Sequence, residues 1–170
     1  CETMSNPLLE ITHLKAMSEL AEKHQLTLVV DNTFSPLMVA PAKHGAHIVI
    51  HSLTKFINGT SDAIAGAVCA SEAFCESLKS VMDGAGMLFG STLDSHRAAN
   101  ILKNMKTLPI RMAKHSENAL HIASGLVKAG YRVSYPGLDN HPGKKILEQQ
   151  LEAGFGYGGL MTLDAQTPEK

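Results

Sequence analysis

The stretch "LTLVVD", residues 26–31, decides how the fold is read. Its apolar run lacks the alternation of a half-solvated strand, so it reads as a strand covered on both faces, the habit of parallel sheets. It ends on an acid, Asp31. Further on, "AHIVIHS" (46–52) repeats the pattern. With residues 36–44 expected to be helical between them, the two strands form a βαβ-like unit, whose crossover is right-handed.

Working outward, Leu14, Met17, Leu20 and Ala21 recur at helical spacing between Thr12 and His24, with Thr12 as the expected N-cap. "AIAGAVCA" (63–70) reads as a third strand. Ser71 then caps a helix carrying Glu72 in its first turn. "GAGMLFGST" (84–92) is a glycine-rich break, followed by helices expected over 92–106 and 110–129. The second helix starts near Pro109 and ends at Gly130. "YRVSYPG" (131–137) reads as a strand, "GKKILEQQL" (143–151) as a helix and "GGLMTLD" (158–164) as a strand. The fold class is α/β. Composition shifts across residues 107–130, which divides the chain into 1–115 and 116–170.

A chain of 170 residues with 44% hydrophobic residues can bury a core. Fifteen basic and sixteen acidic residues leave a net charge of −1, so neither nucleic acid nor an anionic membrane is an expected partner. The longest apolar runs fall short of the roughly 20 residues that span a bilayer, and a cytoplasmic location is expected. Cys1, Cys69 and Cys75 are odd in number and lack CxxC spacing, which argues against a disulfide framework or a zinc ribbon. His44 and His47 have no carboxylate cluster to complete a metal site. The chain opens on "CETMSNP" and closes on "LDAQTPEK" in the manner of an internal piece of a longer protein.

In open α/β sheets, ligands gather at the carboxyl ends of the strands. Asp31 stands at one such end. Ser52, Thr54 and Lys55 stand at the next, and Asn6 precedes the first helix. Taken singly, Asp31 is a turn residue, Lys55 a surface charge, and Ser52 and Thr54 local caps. Taken together they supply a carboxylate for a pyridinium nitrogen, hydroxyls for a phosphate and an amine nucleophile. A non-catalytic α/β binding or assembly domain is the competing reading. No GxGxxG or GxxxxGK[ST] is present to suggest a nucleotide site.

"ETMSNP" (2–7), "VVDNTF" (29–34), "HSLTKFINGTSDAIAGAV" (51–68), "MKTLPIRMAKHSENAL" (105–120) and "HPGKKILEQQ" (141–150) together resemble the trans-sulfuration family of pyridoxal-phosphate enzymes. That family comprises cystathionine and methionine γ-lyases, cystathionine β-lyases, cystathionine γ-synthases and homoserine-ester sulfhydrylases. The resemblance implies an aspartate aminotransferase-like (fold type I) large domain with a mostly parallel sheet, followed by the start of a smaller α+β domain. It further implies that Lys55 binds pyridoxal 5'-phosphate covalently and shuttles protons on the substrate. Asp31 would pair with the ring nitrogen, and Ser52 and Thr54 would bind the phosphate. Thr33 would lie beside the ring and Asn6 near the phenolic oxygen. Arg111, His115 and Asn118 also match family positions and read as structural.

The implied reaction is elimination at a carbon–sulfur bond of an amino acid, with γ-replacement by a synthase or sulfhydrylase as the alternative. The implied assembly is a homotetramer built as a dimer of dimers. Several family features have no counterpart in these residues. The ring-stacking tyrosine is one, since Tyr131, Tyr135 and Tyr157 all fall in the last forty residues. An earlier phosphate-binding glycine loop and the arginine for the substrate carboxylate are the others. "GYGGLMTLD" (156–164) also departs from the family's usual "GFGGM".

Overall fold

A computed structural model describes residues 1–164 of the chain. Strands β1 (Val29–Asp31) and β2 (Ile48–Ser52) pair in parallel with Val30 opposite Val49. Both run into their polar residues at the same edge of the sheet. β3 (Gly66–Cys69) adds to the other side of β2 but runs antiparallel, with Ser52 opposite Gly66. The described part of the sheet is therefore mixed, with β3 as its antiparallel member. The physical reason lies in residues 53–65, which contain one helical turn and no crossover helix. A parallel return needs a crossover, whereas an antiparallel one needs only a loop.

On the outer side of β1 the first residues extend the sheet: Asp31 N–H donates to Cys1 O and Thr3 N–H to Asp31 O, both at 2.9 Å. The buried Thr3 hydroxyl donates to Asn32 Oδ1 at 2.8 Å. The Asn32 amide in turn donates to the carbonyls of Ser35 and Val39. This grip keeps residues 35–39 as a turn, so the helix expected over 36–44 shrinks to a single 3₁₀ turn, Pro41–His44.

Helix α1 (Leu14–Lys23) lies where its periodicity predicts, but its N-cap is His13, whose ring accepts from Ala16 N–H. Thr12 is not free to cap, because its hydroxyl donates to Glu2 O at 2.7 Å. Ser71 does cap α2 (Glu72–Lys79), accepting from Phe74 N–H. A four-residue helix, α3 (Ala85–Leu88), occupies part of the glycine-rich break. Then come α4 (Ser95–Met105), capped by Asp94, and the long α5 (Leu108–Lys128), with Pro109 in its first turn. Strand β4 (Arg132–Ser134), helix α6 (Lys144–Glu148) and strand β5 (Thr162–Asp164) complete the described chain, with β4 and β5 antiparallel.

The buried stripe of α5 runs Leu108, Met112, Ser116, Ala119, Ala123, one face of a helix at steps of three or four. Its first half enters the main core with Met4, Leu14, Val30, Met38, Ile101 and Leu147. Its second half packs in a separate cluster with Val133 and Tyr135. Among the described residues no helix is long and apolar enough to cross a membrane, no metal-holding cluster of acids, histidines and cysteines forms, and the three cysteines are unpaired.

Candidate active site

The parallel pairing of β1 and β2 sets Asp31 and Ser52 at the same sheet edge. Asp31 Oδ1 accepts from Thr33 N–H at 2.9 Å, a tight turn that holds the carboxylate at the strand end. Thr33 Oγ1 accepts from Ser52 N–H at 2.8 Å and so ties the two strand ends together. Asn6, Asp31, Thr33 and Ser52, with Glu2, Met4 and Phe34, line a small cavity of about 200 Å³. Four of the six predicted site residues thus meet in one place. Thr54 and Lys55 line a larger cavity of about 820 Å³ beside it, and Phe34 belongs to both walls.

Lys55 sits inside the helical turn Leu53–Ile57, and its own backbone (φ −90°, ψ −123°) is not helical. Three groups hold that turn. Asn58 N–H donates to Leu53 O and Gly59 N–H to Lys55 O. The Arg111 guanidinium donates to Phe56 O and Ile57 O, the two carbonyls directly after Lys55. Asn104 on α4 donates to Asn58 Oδ1, and Asn58 itself donates to Asp62 Oδ1 at 2.8 Å. Gly59 has φ +75° and a Cβ there would stand 2.7 Å from Arg111 Cζ, so this position needs glycine for both conformation and space. Partial burial pushes the Arg111 guanidinium pKa down. The reading of Arg111 as structural holds: all of its described bonds go to backbone carbonyls and to Thr107. His115 packs edge-on to Phe56 at 5.5 Å and also lines the larger cavity.

The hydroxyl of Thr54 is engaged from both directions, donating to Ala65 O at 3.2 Å and accepting from Ala65 N–H at 3.0 Å. It therefore fastens the lysine turn to the start of β3. Ser52 Oγ and Lys55 Nζ, by contrast, have no hydrogen-bond partner among the described residues. One residue before Ser52, His51 has an Nδ1 that is buried without a partner. Burial pushes its pKa down, with the Asp31 charge and a backbone bond involving Asn32 opposing.

Sequence reasoning missed Glu2, Met4 and Phe34 on the small cavity and Asp62 and Arg97 on the large one. Phe34 and Asp62 lie inside stretches already singled out, "VVDNTF" and "HSLTKFINGTSD". Arg97 lies in no motif, and nothing local marks it.

The model for the "Cys/Met metabolism PLP-dependent enzyme" family matches residues 1–170. The chain is 39% identical over 169 residues to a methionine gamma-lyase of Arabidopsis thaliana, covering 99% of this chain and 38% of that protein. It is 43% identical over 167 residues to an L-methionine gamma-lyase of Fusobacterium nucleatum subsp. polymorphum, covering 96% of this chain and 41% of that one. Among solved structures, a cystathionine gamma synthase of Xanthomonas oryzae pv. oryzae in complex with aminoacrylate and cysteine superposes with a TM-score of 0.85 at 38% identity, covering 96% of this chain and 41% of that one. A cystathionine gamma-lyase of Lactobacillus plantarum complexed with L-serine does so at 0.87 and 32%, with coverage of 99% and 43%. The chain thus spans about two fifths of the length of the relatives it matches. With the model matched along its whole length and the α/β fold shared with solved fold type I enzymes, the chain belongs to the Cys/Met metabolism PLP-dependent enzyme family.

Proposed function

We propose that the full protein is a pyridoxal-phosphate-dependent carbon–sulfur lyase of sulfur amino-acid metabolism, acting on methionine or cystathionine by elimination. The observation that carries this reading is the sheet edge: the unpartnered Ser52 hydroxyl and the Asp31 carboxylate, held by a backbone N–H, line one cavity, and the unpartnered Lys55 amine lines a second that shares Phe34 with it.

That donor set fits the cofactor. A carboxylate suits a ring nitrogen, a hydroxyl suits a phosphate, and an amine suits an aldehyde. Lys55 would bind the cofactor covalently and then hold or deliver the proton taken from the substrate α-carbon. Asp31 would keep the ring nitrogen protonated. Ser52 would hold the phosphate with its free hydroxyl, and Thr54 joins it once its hydroxyl proton turns away from Ala65 O, while Oγ1 still accepts from Ala65 N–H. Thr33 and Asn6 would flank the ring on the wall of the small cavity. When bound, pyridoxal phosphate supplies an electron sink that stabilises negative charge at the substrate α-carbon. Arg111 positions the lysine by fixing the carbonyls of Phe56 and Ile57.

Changing Lys55 to alanine in the full-length protein should remove the covalently bound cofactor's visible absorption band and cut turnover by at least about 10³-fold. An unchanged band would sink the assignment.

A second reading, γ-replacement by a synthase, is favoured by similarities of 38% identity to the cystathionine gamma-synthase of Mycobacterium leprae and to the solved one of Xanthomonas. Product analysis with methionine, cystathionine and homoserine esters separates the two. Family resemblance supports a homotetramer and a cytoplasmic location. A boundary between residues 115 and 116 is supported by the stripe of α5, which leaves the main core after Met112 and enters the second cluster at Ala119.

A further inference from the structure

We infer that Arg97 selects substrates carrying a second carboxylate at the end remote from the reacting amino acid. This inference rests on the lyase reading above and names the kind of substrate its site prefers.

Four charged side chains line the 820 Å³ cavity: Lys55, Asp62, Arg97 and Arg111. Their hydrogen bonds give them different tasks. Arg111 has its guanidinium committed to the carbonyls of Phe56, Ile57 and Asn104 and to the Thr107 hydroxyl. Asp62 Oδ1 is taken by Asn58 and Thr60, and those bonds hold its pKa down. Lys55 is assigned to the cofactor. That leaves Arg97, whose guanidinium makes a single described contact, Nε to Asp94 Oδ2 at 3.3 Å. This contact is one edge of the group, and the two terminal nitrogens have no partner among the described residues.

A guanidinium presents a planar fork that matches a carboxylate with two parallel bonds. The Asp94 pair is solvent-exposed on both sides, so it is held weakly and yields easily to a better-placed anion. Asp94 also caps α4 through its other oxygen, which accepts from Arg97 N–H at 3.0 Å, so the root of the arginine is fixed while its head is available. The remaining wall, Phe34, Phe56, Ile64 and Leu160, is apolar and suits a thioether chain between the two ends. A methionine-like substrate would leave Arg97 unused. A di-amino-acid thioether, or a homoserine ester of a dicarboxylic acid, would engage it.

The test uses the full-length holoenzyme and compares cystathionine with methionine. The wild type is expected to favour cystathionine in kcat/KM. Arg97→Gln should lower kcat/KM for cystathionine by about tenfold or more, chiefly through KM, while methionine changes less than about twofold. Arg97→Lys should recover part of the loss, since it keeps the charge without the fork. A wild type that prefers methionine, or an Arg97→Gln variant that changes both substrates equally or neither, would overturn the inference while leaving the lyase reading intact. Turnover of neither substrate by a wild type carrying bound cofactor overturns the lyase reading and this inference with it, a result distinct from the others.

Discussion

The sheet edge around Lys55 and the packed region around Tyr135 use the same kinds of polar group in opposite ways. Tyr135 is fully buried and its hydroxyl donates toward Ser116 O and Gly158 O; Ser116 Oγ donates to Phe155 O and accepts from Gly158 N–H. Every one of those heads is used up in holding backbone. Burial, with the nearby Tyr157 adding to it, pushes the Tyr135 hydroxyl pKa up to about 12. At the sheet edge the bonds instead go to the backbone that carries the functional residues. Arg111, Asn58 and Thr54 fix the lysine turn, while Lys55 Nζ and Ser52 Oγ stay unspent. A buried polar group must be satisfied to be tolerated, whereas Lys55, which is exposed, and Ser52, which is only partly buried, can leave their heads to water.

The contrast can be broken most sharply at Asp31. Asp31→Asn in the full-length protein should cut turnover by about 10²-fold or more through loss of the ring-nitrogen partner, with the melting temperature little changed. Unaffected turnover would remove Asp31 from the chemistry. The mirror experiment is Tyr135→Phe, which removes the buried donor to Gly158 O and should cost about 1–3 kcal/mol of stability, read by denaturant unfolding, while the cofactor band stays as it was. If instead the band vanished at unchanged stability, the division of labour between the two regions would be wrong.

The smallest effect concerns pH. His51 and His141 both have pKa values below the ordinary 6.5, each chiefly because burial disfavours the charged ring. The unfolded chain therefore takes up these protons first as pH falls. The stability contributed by the neutral rings is full above about 6.5 and is lost as pH drops toward the lower folded values. Thermal melts between pH 7 and 5 should show this decline, and it should be shallower in His51→Gln. An equal slope in that variant would exclude His51 as a source.

Much of this was legible along the chain. Asp31, Ser52 and Lys55 could be placed at strand ends because unbroken apolar runs mark covered strands, and the cap at Ser71 followed from residue chemistry alone. The errors fell where a side-chain hydrogen bond to the backbone competed with the local pattern. Thr12 lost its capping role to a bond with Glu2 O, and the helix expected at residue 36 gave way to the grip of Asn32 on Ser35 and Val39. Periodicity and capping preferences do not show which of the competing bonds a side chain takes.

The sequence by itself determined the family, the strand ends and the reactive residue types, because periodicity and short motifs are local properties. Only the tertiary structure decided which of those residues share a wall, and which heads remain unspent. Asn6, Asp31, Thr33 and Ser52 meet because β1 and β2 run parallel and the Thr33 hydroxyl joins their ends. Arg97 reaches the cavity of Lys55 because α4 packs beside the lysine turn, with Asn104 bonded to Asn58. Parallel pairing and helix docking are set by burial and hydrogen bonding between segments far apart in the chain, and these act only once the chain has folded.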